Sequence, residues 1–140
     1  MGDSAFAKDE GRFSPDGRSI SYGSTESGAW QVYVASFPAF DNRRQVSLGG
    51  GVQARWRADG GELFCLAPNG AVMSVTVKAG APTQFSAPTI LFQSPLTSPS
   101  PNLDQFDVTA DGQRFLFLVR EQQGLDPITV VVNWQRLLKE

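Results

Sequence analysis

The feature that most constrains this chain is a tight-turn signal, Ser14-Pro15-Asp16-Gly17, which returns as Arg57-Ala58-Asp59-Gly60 and Thr109-Ala110-Asp111-Gly112. Each copy follows an aromatic or branched residue (Phe13, Trp56, Val108) and precedes an apolar run. Proline presets φ at the second position of a type I turn, Asp bonds nearby backbone, and Gly accepts the left-handed conformation that closes a hairpin. The second and third copies replace Pro15 by alanine and keep Asp-Gly, so Pro15, Asp16, Gly17, Asp59, Gly60, Asp111 and Gly112 read as structural turn residues. A turn that recurs in one chain predicts a repeat.

The intervals support this. Asp16 and Asp59 are 43 residues apart, Asp59 and Asp111 52 apart. Within the first interval, residues 18–22 alternate Ile20 and Tyr22 with serine, residues 30–34 form a third strand, and residues 43–48 can form a fourth before Gly49-Gly50-Gly51. In the second, residues 62–67 and 72–77 are strands and residues 89–92 the fourth. Val75 and Val77 follow Asp59 at the spacing at which Val32 and Val34 follow Asp16. The extra length falls in loops 79–88 and 94–102; Pro95, Pro99 and Pro101 make the latter a surface loop. The third interval supplies strands at 105–109, 114–119 and 128–134, the polar loop 121–126, and a short tail at 135–140.

Four short strands per forty-odd residues predict an all-β chain of β-propeller blades, three four-stranded antiparallel repeats. The continuous apolar runs fit, because a blade covered on both faces need not alternate. The expected division is 1–10 as an N-terminal arm or a strand of a neighbouring blade, 11–51 as blade 1, 52–102 as blade 2 with its Pro-rich loop, and 103–140 as blade 3 with the tail. An antiparallel β-sandwich of immunoglobulin type is the alternative, but it does not account for three copies of one turn in phase.

Composition narrows the chemistry. The 140 residues contain no histidine and one cysteine, Cys65, which leaves no intrachain disulfide, Cys/His zinc site, Cys-His nucleophile or Ser-His-Asp triad. Cys65 lies in the apolar run 63–66 and reads as a small buried hydrophobe. The net charge of −2 without a basic stripe gives no footprint for nucleic acid. No stretch has the length of a membrane-spanning helix, and the first residues lack the pattern of a signal peptide. The expectation is therefore no catalytic residue, no metal and no cofactor.

The turn with Arg18, Ile20-Ser21-Tyr22 and Trp30-Gln31-Val32-Tyr33-Val34 resembles the TolB-like, WD-like β-propeller repeat, from Gly11 onward. Gly49-Gly50-Gly51 with Arg55-Trp56-Arg57 and the ending 127–134 resembles more narrowly the C-terminal propeller region of bacterial serine/threonine protein kinases. That resemblance implies a non-catalytic sensor or scaffold module, periplasmic or otherwise extracytoplasmic. Kinase activity would lie outside this chain, which has no glycine-rich nucleotide loop, His-Arg-Asp loop or Asp-Phe-Gly motif.

Three repeats are about half of what such propellers close with. An open array would leave apolar faces of the terminal blades in water, so a homodimer closing a six-bladed ring is expected, with Phe6 and its neighbours completing a blade of the partner.

Arg12, Arg55 and Asp107 each stand four residues before a turn Asp, on the strand that is innermost in a propeller. They are candidates to line a channel that binds a protein, peptide or small ligand; an ion pair between blades or simple exposure is the plainer reading. Arg57 is a further candidate, standing where Ser14 and Thr109 stand. Against this binding module stand two alternatives. One is a propeller hydrolase or lyase built on a carboxylate pair, for which the acids show no shared motif. The other is a structural fragment without a ligand.

Overall fold

In the computed structural model, residues 8–80, 83–101, 103–120 and 127–133 are described. Phe6, the 121–126 loop and the 135–140 tail lie outside the described residues. The first sheet runs β1 (Lys8–Phe13), β2 (Ser19–Ser24), β3 (Gln31–Ser36) and β4 (Arg44–Gln45) in chain order. The second holds β5 (Val52–Trp56), β6 (Glu62–Leu66) and β7 (Ala71–Lys78), with both β8 (Gln84–Phe85) and β9 (Thr89–Gln93) paired to β7. The third holds β10 (Phe106–Val108), β11 (Arg114–Arg120) and β12 (Pro127–Asn133). Every pairing is antiparallel.

The sheets stack face to face in chain order, and the turn aspartates set the phase. The residue before the turn pairs with the second residue of the next strand in each sheet: Phe13 with Ile20, Trp56 with Leu63, Val108 with Phe115. From there side chains alternate. Leu63 and Cys65 point back to Val32 and Val34 of the first sheet, whereas Phe64 and Leu66 point forward to Phe115 and Phe117 of the third. That is why β6 is buried at every position. The forward positions of β2 are small, Ser21 and Gly23, and the space is taken by Trp56, whose indole N–H reaches Ser21 Oγ at 3.1 Å and Arg12 O at 3.3 Å.

At the two ends the pattern is unmatched. Leu116 and Leu118 occupy the forward positions of the third sheet and are each 40% exposed, where Phe64 and Leu66 are fully buried. Phe13 occupies the backward position that Trp56 fills in the second sheet; it is 54% exposed and touched edge-on by Phe37. Ile20, Tyr22, Tyr33 and Ala35, also facing backward, form a separate buried cluster with Phe40 against it.

Several expectations need correction. Stacking of three sheets replaces the two-layer sandwich alternative. Among the described residues, the first sheet has four strands; the outer position of the second is split between β8 and β9, broken at Pro88, and three strands of the third are described. Lys8–Glu10, expected as part of an arm or of a strand of a neighbouring blade, form the start of β1 in the first sheet, through pairing of Lys8 with Ser24 and Asp9 with Gly23. The 94–102 segment is not purely a surface loop, because Leu96 is buried in the cluster between the second and third sheets. Gly70 makes room for it: a Cβ there would lie 1.7 Å from Leu96 O.

Candidate functional site

The turns come first because they aim the strands that carry the candidates. In the first, Gly17 has φ 74° and its N–H reaches Ser14 O at 2.9 Å, while Asp16 Oδ1 accepts from the Ser14 hydroxyl at 2.7 Å and the Arg18 N–H at 3.0 Å. The third repeats this with Thr109, Asp111 and Gln113 at 2.7 and 2.9 Å. Backbone and hydroxyl donors stabilise the ionised carboxylates. The Arg18 N–H and then Ser14 hold Asp16 below the usual range, and the Thr109 hydroxyl does so for Asp111. Each carboxylate is engaged with its own turn.

Arg57 breaks the series. Its guanidinium takes the place of the missing hydroxyl, reaching Asp59 Oδ1 at 2.8 Å, and also bonds Glu62 Oε1 at 2.8 Å. Arg57 holds the Asp59 carboxyl down, and Asp59 in turn raises Arg57. Glu62 is buried and accepts a further bond from the Ser74 hydroxyl. The turns also touch one another: Ala58 N–H donates to Ala110 O at 3.3 Å, and the Arg57 stem lies over Gly112.

Arg12, Arg55 and Asp107 line one cleft of about 330 Å³, together with Asp104, Phe106, Leu116 and Leu118. They meet there because β5 packs beside both β1 and β10. Arg55 is buried; its guanidinium bonds Asp104 Oδ1 at 3.0 Å and Ala54 O at 2.8 Å and sits 5.4 Å from the Phe106 ring. Arg12, half-exposed, reaches the same Asp104 Oδ1 at 3.2 Å. Asp104 therefore bridges two arginines from different sheets. Asp107 is exposed and accepts from the Val108 N–H at 2.8 Å. Arg57 does not join this cleft.

Sequence reasoning missed Asp104, which lies in no repeat position, and a buried amide pair beside it. Gln53 sits at a bulge in β5 with φ 57°, a backbone region a long side chain seldom adopts. Its side-chain amide donates to Ser100 O and Gln105 Oε1, both at 2.8 Å, and its carbonyl accepts from Gln105 N–H at 2.8 Å. That clamp fixes the segment carrying Asp104. A polar residue at a position flanked by valine and alanine was the available signal. Cys65 is buried, and burial pushes its thiol up to about 12, so it offers no nucleophile at neutral pH.

No family model matches the chain, and no curated protein matches it by sequence. In structure it is similar to TolB from Acinetobacter baumannii, with a TM-score of 0.64 and 18% identity over 95% of this chain. The chain has a TolB-like β-propeller fold. It spans 31% of that TolB chain, so the TolB-like likeness concerns the repeat architecture and not the whole of the larger protein. Among the described residues no helix is long and apolar enough to cross a membrane.

Proposed function

We propose that this chain is a non-catalytic TolB-like propeller module that binds a protein or peptide at the inner edge of its sheets. The observation that carries this is the meeting of Arg12, Arg55 and Asp107 in a single cleft with apolar walls at Leu116 and Leu118. Charged groups of both signs beside apolar surface suit a mixed-charge segment. Fluorescence anisotropy against pooled labelled peptides tests it. A pool that binds, and binds about tenfold more weakly to Asp107→Ala, supports the reading; no saturable binding by any pool overturns it.

The ring is closed by a second copy. Leu116, Leu118 and Phe13 are apolar and exposed, where their equivalents in the middle sheet are buried (Phe64, Leu66) or partly buried (Trp56). In a six-bladed dimer Asp107 would adjoin the second copy's Arg12, opposite charges in adjacent slots. Light scattering should give twice the 15.2 kDa of one chain, and Leu116→Glu/Leu118→Glu should give a monomer. A wild-type monomer at micromolar concentration overturns the dimer and leaves the peptide reading to its own test.

Association with a serine/threonine kinase, and with it an extracytoplasmic placement, rests on the sequence resemblance at 49–57 and 127–134. The hydrolase alternative draws on Asp104 and Asp107 lining one cleft. Asp104, however, is committed to two guanidiniums and is poorly placed to shuttle a proton.

A further inference from the structure

A second cleft, of about 380 Å³, lies away from the inner edge, between the outer strands of the first and second sheets. It exists because β4 and β8 are only two residues long and leave a wedge between the sheets. Arg44 of β4 and Phe85 of β8 meet across the wedge, the guanidinium carbon 5.8 Å from the ring centroid. Arg18 and Arg43 line the same space, with Ser36, Asn42 and Thr83 as neutral polar neighbours.

Its charge is one-sided. Three arginines line it, and no carboxylate among the described residues does. In the Arg12/Arg55 cleft, by contrast, two arginines face two aspartates. Two acids stand beside it: Asp41 Oδ1 accepts from the Ser36 hydroxyl and the Asn42 amide, both lining residues, and Glu26 lies 3.9 Å from Arg43. In a chain of net charge −2, such a concentration of positive charge runs against the overall balance.

The arginines are also held. Ser36 N–H and Oγ both donate to Asp41 O, at 2.8 and 2.9 Å, fixing the hairpin between β3 and β4. Phe40 and Asn42 in that hairpin have φ 57° and 52°. Such conformations cost about 1–3 kcal/mol each and persist where surroundings impose them; for Phe40 the surroundings are the Tyr22 ring at 5.3 Å. Arg43 lies 6.0 Å from the Phe40 ring and Arg44 lies over Phe85, so two guanidiniums rest against aromatic faces.

We propose that this cleft binds a small phosphorylated molecule, with Arg18 and Arg44 at the phosphate oxygens and the Arg43 guanidinium turned to the other face of the first sheet, beside Glu26 and Phe40. Planar guanidiniums match phosphate geometry bidentately, and the volume is that of a small-molecule site. The proposal is independent of the peptide cleft and of ring closure.

The test titrates the full chain with pyrophosphate at constant ionic strength and follows backbone amide shifts by NMR. Saturable shifts should centre on Ser36, Thr83 and Phe85, and Arg44→Gln and Arg18→Gln should each weaken binding about tenfold. Arg114→Gln, on another sheet, should leave it unchanged. Retained shift dispersion in each variant separates lost binding from lost fold. Absence of saturable shifts up to roughly 10 mM, or equal weakening by Arg114→Gln, overturns the site. A phosphoserine peptide is the comparison arm: weaker binding than pyrophosphate supports a free ligand, and stronger binding overturns that source in favour of a protein-borne phosphate.

Discussion

Arg57 Nη1 lies 2.8 Å from Glu62 Oε1, joining the one turn residue that departs from the Ser/Thr pattern to a carboxylate buried on the face of the second sheet that meets the third. The pair is a substitution in two parts. Where the first turn has the Ser14 hydroxyl bonded to the backbone N–H of Ser19, the second has the side chains of Arg57 and Glu62 paired at the same two positions. Arg57→Ser alone strands a buried carboxylate and should cost roughly 2–3 kcal/mol, at the low end for a broken buried pair because Ser74 still donates. Arg57→Ser/Glu62→Ser recreates the first turn's arrangement and should recover most of that loss in urea denaturation. A double variant no more stable than the single would mean that Glu62 is not what Arg57 serves.

Gln53 separates backbone strain from side-chain bonding. Both Gln53→Ala and Gln53→Gly lose the amide clamp on Ser100 and Gln105. Only glycine also relieves φ 57°. The glycine variant should therefore be the more stable of the two by about 1 kcal/mol, measured by denaturant midpoint. The reverse order would show that the bulge conformation carries no strain.

Two turn glycines should respond very differently to alanine. Gly17 has open space around its absent Cβ, so Gly17→Ala meets only the left-handed backbone penalty, about 1 kcal/mol. Gly70→Ala drives a Cβ into Leu96 O and adds overpacking to the same penalty, about 3 kcal/mol or more. Thermal melts of the two variants check the ranking.

Cys65 should be unreactive toward a disulfide reagent at pH 8 in the folded chain and react at once on unfolding. The same burial makes stability sensitive to alkali. Its thiol titrates at about 12 when folded against 9.0 for the ordinary group, so the folded state holds the proton longer. The contribution is complete below pH 9.0 and is lost as pH rises toward about 12. Cys65→Ala should flatten the fall in stability over that alkaline range, whatever its effect at neutral pH.

The turns were readable in the sequence because their chemistry is local: Asp16, Gly17 and a hydroxyl two residues before the Asp meet within one hairpin. The same locality placed Arg12, Arg55 and Asp107 at one strand position, since Asp-Gly fixes the count from each turn. What they touch was not readable. Asp104 belongs to no repeat, and its contacts with Arg12 and Arg55 depend on how three sheets stack. Arg57 was visible as an outlier, yet its reason, Glu62, is legible only once burial is known. Leu96 was hidden by its prolines, which excluded a strand correctly but say nothing of whether a loop dips inward. The outer strand of the second sheet was placed at 89–92, and β8 escaped notice because two residues carry no periodicity.

The alternation of backward and forward side chains also gives each sheet an address. Ser21 and Gly23 leave a hollow shaped for an indole, and Phe64 and Leu66 meet the rings of Phe115 and Phe117. Exchanging the order of the units would put a bulky forward face against Trp56 and a hollow against two phenylalanines. Although the turns are alike enough to be copies, the units are not interchangeable, and their order along the chain is written in the sizes of the side chains between them.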